Sequence, residues 1–207
     1  EGKAIGLSYF KERGYNDAII KKFELGYSPD NSGAFTKAAL SAGYKLAYLE
    51  KTGLSKTNEK GSFDFFRGRV IFPIHNLTGR ILGFGGRTLK TDKKIAKYFN
   101  SPESEIYHKS NVLYGLYQAK GAIIKQDTCY LVEGYTDVVS LNQAGIENVV
   151  ASSGTALTEG QIKLVKRYTN NITILYDGDS AGVKASFRGI DLILEQGMNV
   201  KVVLFPD

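Results

Sequence analysis

The sequence is short of cysteine, histidine and proline, and each shortage removes a class of protein. One cysteine, Cys129, in 207 residues excludes an internal disulfide framework, and one Cys with two His cannot make a structural zinc site. Four prolines and no repeated low-complexity tract argue against a disordered chain. Apolar runs stop after a few residues, as in Val202-Val203-Leu204-Phe205, so no segment spans a bilayer and no membrane partner is expected. No charged, apolar, small-residue signal opens the chain. It begins at Glu1 without Met and stops at Phe205-Pro206-Asp207, straight out of an apolar run, so it reads as a cytoplasmic piece of a longer protein. What remains is ordinary globular composition, 43% hydrophobic and 23% charged, enough for a core in one or two domains.

Charge of one sign is also unevenly supplied. Residues 1–126 hold 21 basic and 11 acidic side chains, net +10, whereas residues 127–207 hold 6 and 10, net −4. The densest basic block, Phe65 to Lys97, carries Arg67, Arg69, Arg80, Arg87, Lys90, Lys93, Lys94 and Lys97 against Asp92 alone. Such a field attracts polyanions, and a phosphate backbone is the commonest. A solvated basic face that only aids solubility accounts for the charge equally well.

The patterning changes with the charge. Ala4 to Lys11, Asn16 to Phe23, Phe35 to Leu40 and Leu46 to Leu49 read as short helices, and Lys51 to Gly61 as a loop. Arg69 to Ile74 and Arg80 to Gly86 around a Gly-ending turn predict a β-hairpin, with Pro73 placing the first strand at an edge or bulge. The Gly83-Phe84-Gly85-Gly86 run lacks nucleotide-loop spacing and reads as hairpin tightening, and His75 as a turn residue. Residues 90–110 read as loop and Val112 to Lys120 as a helix. From Asp127 apolar strands alternate with amphipathic helices, the signature of βαβ units and a parallel sheet. The fold class is therefore an α+β subdomain over 1–120 followed by an α/β subdomain over 121–207.

Ligands of open α/β sheets sit outside the carboxyl ends of the strands, and two strands here end in acids. One ends Leu131-Val132-Glu133-Gly134, with Asp137 one turn later; another ends Tyr176-Asp177-Gly178-Asp179. Clustered carboxylates repel unless a cation neutralises them, and all-oxygen ligands favour Mg²⁺ or Mn²⁺. Asp137 also fits a first-turn acid that complements a helix dipole, and Asp179 an N-cap before Ser180. Glu133 has no such alternative.

This second half resembles the Toprim domain of primases, topoisomerases and related nucleases. Arg67-Gly-Arg-Val-Ile-Phe-Pro-Ile74, Gly79-Arg-Ile-Leu-Gly-Phe-Gly-Gly-Arg87, Lys97-Tyr-Phe-Asn-Ser-Pro-Glu103, Tyr107-His-Lys109, Leu113-Tyr-Gly-Leu116 and Val132-Glu-Gly-Tyr-Thr-Asp-Val-Val139 narrow the likeness. In that order they resemble the RNA polymerase domain of the bacterial replicative primases of the DnaG type, over essentially the whole chain. The resemblance implies a nucleotidyltransferase that makes short RNA primers from NTPs on single-stranded DNA, with two Mg²⁺ or Mn²⁺ ions and a replicative helicase as partner through a domain absent here. It implies Glu133, Asp177 and Asp179 as catalytic metal ligands with Asp137 in the same acidic patch. Lys97, Tyr98, Asn100, Lys109 and Arg87 would face the nucleotide, Lys109 as a catalytic group. Arg13, Arg67, Arg69 and Arg87 would contact nucleic acid. The family continues past Leu204-Phe205-Pro206-Asp207 with a further metal-site acid, so this piece alone is expected to be impaired. The rival readings are a Toprim nuclease or topoisomerase fragment and a non-catalytic single-strand binder.

Overall fold

The computed structural model describes residues 2–92, 94–152, 154, 156–177 and 180–205, and the backbone alone at 177, 180–186 and 204–205. The chain forms two compact units, Glu1–Ile74 with Ile81–His108, and His75–Arg80 with Lys109–Asp207. The composition shift lies near residue 121, but the packing division follows His108.

In the first unit a π-helical turn, Gly2–Leu7, runs into α1 (Ser8–Glu12), then α2 (Asp17–Lys22), α3 (Ala34–Ser41) and α4 (Leu46–Lys51). The α2 start is dictated locally: the Asn16 side chain accepts the Ile19 N–H at 2.8 Å, Asp17 sits in the first turn and Lys21 and Lys22 in the last. A four-stranded sheet has the order β1 (Gly26–Ser28), β4 (Arg69–His75), β5 (Ile81–Thr88), β6 (Tyr98–Asn100), and β2 (Ser55–Asn58) pairs antiparallel with β3 (Gly61–Asp64). The core is aromatic: Phe10, Phe23 and Phe72 are buried, and the Phe10 and Phe72 rings meet edge to face.

Several local expectations are corrected. Residues 51–61 are not all loop, because β2 and β3 form there, and β6 lies inside the segment read as loop. Strand β4 is internal to its sheet rather than an edge. Pro73 is tolerated because the β1 ladder ends at Ile71, so its missing N–H has no partner to disappoint on that side. Gly83 and Gly86 lie within β5, not in the turn. A Cβ at 86 would press on Phe66 and one at 83 on Ser101, so these glycines admit side chains to the sheet face. The turn itself is built by Asn76, whose side chain accepts the N–H groups of Thr78 and Arg80, both at 2.9 Å, with Gly79 at φ +87°. His75 ends β4 and is buried against Tyr117.

The second unit carries α5 (Leu116–Gln126), β7 (Cys129–Val132), α6 (Tyr135–Gln143), β8 (Val149–Ala151), α7 (Glu159–Lys166), β9 (Asn171–Asp177), α8 (Ser180–Glu195) and β10 (Asn199–Phe205). Its sheet is parallel with the order β10-β9-β7-β8. The α5 face Leu116, Ala119 and Ile123 is buried in one core with Cys129, Leu131, Ile162 and Ile174, which is why α5 belongs to this unit. The helix begins at Leu116, not at Val112. Tyr114 is held extended by two backbone bonds to Ala151, and Gly115 at φ +82° then turns the chain into the helix. Among the described residues no helix is long and apolar enough to cross a membrane.

Candidate metal centre and phosphate-facing residues

The strand order creates a ligand position before any side chain is considered. From β7 the chain passes through α6 to β8 on one side; from β9 it passes through α8 to β10 on the other. Adjacent parallel strands whose connections diverge leave a crevice at their carboxyl ends. Glu133 follows the last residue of β7 directly. Leu131 pairs with Ile174, so the register carried forward sets Glu133 opposite Tyr176, one residue before Asp177. The buried Tyr176 hydroxyl is pushed up to about 12, first by burial and then by the Glu133 charge. Glu133 itself is exposed. Asp137 stands in the first turn of α6, where its Oδ2 accepts the Gly134 N–H at 2.9 Å, so it caps the helix that starts beside Glu133.

The donor set at this end is carboxylate oxygen, which suits a hard divalent cation. Cys129, at the opposite end of β7, is buried, and burial pushes its thiol upward, away from the ligating thiolate. Among the described residues no group of three or more His, Cys, Asp or Glu is placed to hold a metal. The Asp177 side chain and Asp179, which complete the expected set, lie outside the described residues.

The first unit sorts its basic residues into two kinds. Arg69 was expected on the nucleic-acid surface, but it is 4% exposed. Its guanidinium lies 3.8 Å from the Phe99 ring centre and donates to Gly86 O at 3.1 Å and Ala96 O at 3.0 Å, so it cross-links the sheet. Burial lowers its pKa. Arg67 is exposed and pairs with Asp30 at 3.7 Å, alongside Lys90 at 2.7 Å. That hydrogen bond from Lys90 is the chief reason the Asp30 carboxyl lies below its ordinary range.

Arg87 and Lys97 line one cleft of about 730 Å³ with Tyr9, Lys90 and Glu12. Arg87 donates through Nη1 to the Tyr9 hydroxyl, and its buried Nε has no hydrogen-bond partner among the described residues. Arg13 and Arg87 both lie over the Tyr9 ring, at 5.3 and 5.0 Å from its centre. Tyr98 pairs with Arg87 and Asn100 with Gly85 across β5 and β6, which sets Arg87, Tyr98 and Asn100 on one sheet face; Phe99, alternate to them, points to the face that holds Arg69. Lys109 belongs to the second unit, in a single 3₁₀ turn, Lys109–Asn111.

Sequence reasoning missed Tyr9 as the group that fixes Arg87, and it missed Gln161. The latter carried a readable signal, the capping-box spacing Thr158-x-x-Gln161.

Residues 1–120 match the DNA primase catalytic core, N-terminal domain family, and residues 130–207 match a Toprim-like family. The chain belongs to the DnaG-type DNA primase family. It is 44% identical to a DNA primase of Halalkalibacterium halodurans over 209 aligned residues, covering 100% of this chain and 34% of that protein. The Aquifex aeolicus primase structure, zinc-binding and RNA polymerase domains, superposes with a TM-score of 0.90 at 42% identity, covering 97% of this chain and 49% of that one. A DnaG primase catalytic domain solved bound to single-stranded DNA superposes with a TM-score of 0.87 at 39% identity, covering 99% and 67%. The chain thus spans about a third of the length of the curated primase it matches.

Proposed function

We propose that this chain is the catalytic core of an enzyme that joins NTPs into short RNA primers on a single-stranded DNA template, with divalent metal held at the carboxyl ends of β7 and β9. The observation that carries the reading is the placement of Glu133 at the divergent crevice, beside Tyr176 and one register step from Asp177. Glu133, Asp177 and Asp179 are the metal ligands in this reading, with Mg²⁺ or Mn²⁺ as the ions and two expected during catalysis. Asp137 joins the acidic patch while its capping bond fixes the turn after Glu133.

When bound, the metal would lower the pKa of an attacking 3′-hydroxyl and stabilise the departing pyrophosphate. The chain's own cations neutralise charge on phosphate oxygens, a task of position and electrostatics rather than acid–base chemistry. Arg87 suits it because its buried Nε donor is unmatched within the described protein. Lys97 lines the same cleft, Tyr98 and Asn100 share the Arg87 face, and Lys109 serves the reacting nucleotide. Arg13 and Arg67 face the template. The related catalytic domain solved with single-stranded DNA supports a DNA template for this chain.

The test is templated incorporation of NTPs into RNA by the protein at its natural length. Glu133→Gln is expected to abolish incorporation while leaving binding of single-stranded DNA intact. Undiminished synthesis by that variant refutes the metal role, and metal-dependent cleavage of the template in place of synthesis assigns the site to a nuclease.

A further inference from the structure

Gln161 is the anomaly of the second core. It is 0% exposed on a helix whose other buried positions are Ile162 and Val165. Burying an amide is unfavourable unless its bonds are made, and an apolar side chain of similar volume would fill the same space. The Gln161 bonds are made, and two of them lead away from its own helix. Oε1 accepts the Thr158 N–H at 3.1 Å, while Nε2 donates to Lys109 O at 3.0 Å and to Val112 O at 2.9 Å.

Thr158 repeats the pattern. Its hydroxyl accepts the Gln161 N–H at 3.2 Å, as a helix cap should, and donates to Ser110 O at 2.6 Å. Capping α7 needs only the first of these bonds. Gly160, between them, is the third element: a Cβ there would stand 2.7 Å from Ser110 O and closer still to the Asn111 side chain. The first turn of α7 therefore grips the carbonyls of residues 109, 110 and 112, about fifty residues away in sequence, and omits the one side-chain atom that would push them off.

We propose that this turn is a clasp whose purpose is to position Lys109, with Gln161 and Thr158 as positioning residues and Gly160 as the clearance they require. The inference rests on the reading of Lys109 as a nucleotide-facing group. A lysine stem has four rotatable bonds, so its ammonium is aimed only if its backbone is fixed. The 3₁₀ turn that bears Lys109 is too short to fix itself.

Two measurements on the whole chain test this. Hydrogen exchange of residues 109–112 needs no nucleotide. In Gln161→Met, which keeps the volume and loses the bonds, these amides are expected to exchange about tenfold faster while the α5 amides stay unchanged. The second measurement traps lysines with periodate-oxidised ATP, whose ribose dialdehyde forms an imine with a nearby amine, then reduced with cyanoborohydride and mapped by mass spectrometry. Gln161→Met and Gly160→Ala are expected to cut Lys109 labelling several-fold and to leave Lys97, on the other unit, as in the parent. Thr158→Val follows them and Thr158→Ser restores the parent pattern. Unchanged exchange at 109–112, or a parallel fall at Lys109 and Lys97, overturns the clasp. If Lys109 of the parent is labelled no more than the exposed Lys125, the nucleotide role of Lys109 fails and the clasp's purpose with it, whatever the exchange shows.

Discussion

The two units treat charge in opposite ways. In the antiparallel unit the most deeply buried cation among the described residues, Arg69, lies over an aromatic ring and on backbone carbonyls, so part of the basic excess is structural. In the parallel unit Glu133 stands exposed at a strand end, with its register neighbour followed by another acid. The contrast follows from chemistry and topology together. A guanidinium is planar, weakly hydrated and rich in donors, so a sheet can absorb it against a ring. A carboxylate has only acceptors, and the order of a parallel ladder brings such groups to adjacent strand ends. A basic count therefore overstates the surface available to phosphate, whereas the acid that follows β7 stays exposed.

The sharpest way to break the comparison is to neutralise one charge in each unit. Glu133→Gln is expected to lower primer synthesis by about a thousandfold or more, chiefly in kcat. Arg87→Ala is expected to cost about ten- to a hundredfold, chiefly through the nucleotide KM, because phosphate contacts act in binding as well as in the reaction. Steady-state kinetics on the full-length protein separates them, and the reverse split would exchange the roles assigned to the two residues.

Next in size is the loss expected within the basic unit alone. Arg69→Ala removes three backbone hydrogen bonds from a charged donor and a ring contact, and it leaves the buried Gly86 carbonyl bare. About 3 kcal/mol of stability is expected to go, and Arg69→Lys recovers little of it because an ammonium cannot reproduce the planar fork. Arg67→Ala, at an exposed ion pair, is expected to stay within about 0.5 kcal/mol while weakening binding of single-stranded DNA. Urea denaturation and salt-dependent binding check the pair. Equal stability loss in both variants would deny that the unit sorts its arginines.

These differences mark what a sequence can convey. The alternation of strands and helices in the second unit was legible because apolar runs separated by amphipathic helices have one reading, and the sheet there is parallel. The positions of the acids were legible too, since β7 ends just before Glu133 and β9 ends at Asp177. Burial of Arg69 was not, since nothing along Arg67-Gly-Arg69 tells which arginine turns inward; Phe99, thirty residues on, decides it. The β2–β3 hairpin was hidden by a polar sequence, Ser55-Lys-Thr-Asn58, whose pairing depends on Asp64 reaching back to the N–H groups of Phe35 and Thr36, each at 2.8 Å. Long-range polar contacts of that kind leave no local period to read.

The capping bond of Asp137 gives a smaller effect. Asp137→Asn keeps the shape and weakens the acceptor for the Gly134 N–H, and about 1 kcal/mol of stability is expected to be lost. If Asp137 also holds metal, the affinity for Mn²⁺ falls in the same variant by more than the stability loss explains. Calorimetric titration with Mn²⁺ at a temperature well below unfolding separates the two contributions.

The finest contrast uses one buried tyrosine in each unit. Tyr107 and Tyr176 are each pushed up to about 12, chiefly by burial and then by a neighbouring carboxylate, Glu103 for the first and Glu133 for the second. The native protein thus binds these two protons more tightly than the unfolded chain, whose tyrosines titrate near 10. The stability this represents is present in full below about pH 10 and is lost as pH rises toward about 12. Glu133→Gln removes the charge beside Tyr176 and leaves Tyr107 alone, so phenolate absorbance near 295 nm is expected to show one buried tyrosine ionising earlier by a fraction of a pH unit and the other unmoved. A Tyr176 titration indifferent to this change would place the Glu133 carboxylate away from the β9 strand end, and the metal assignment would lose its geometric basis.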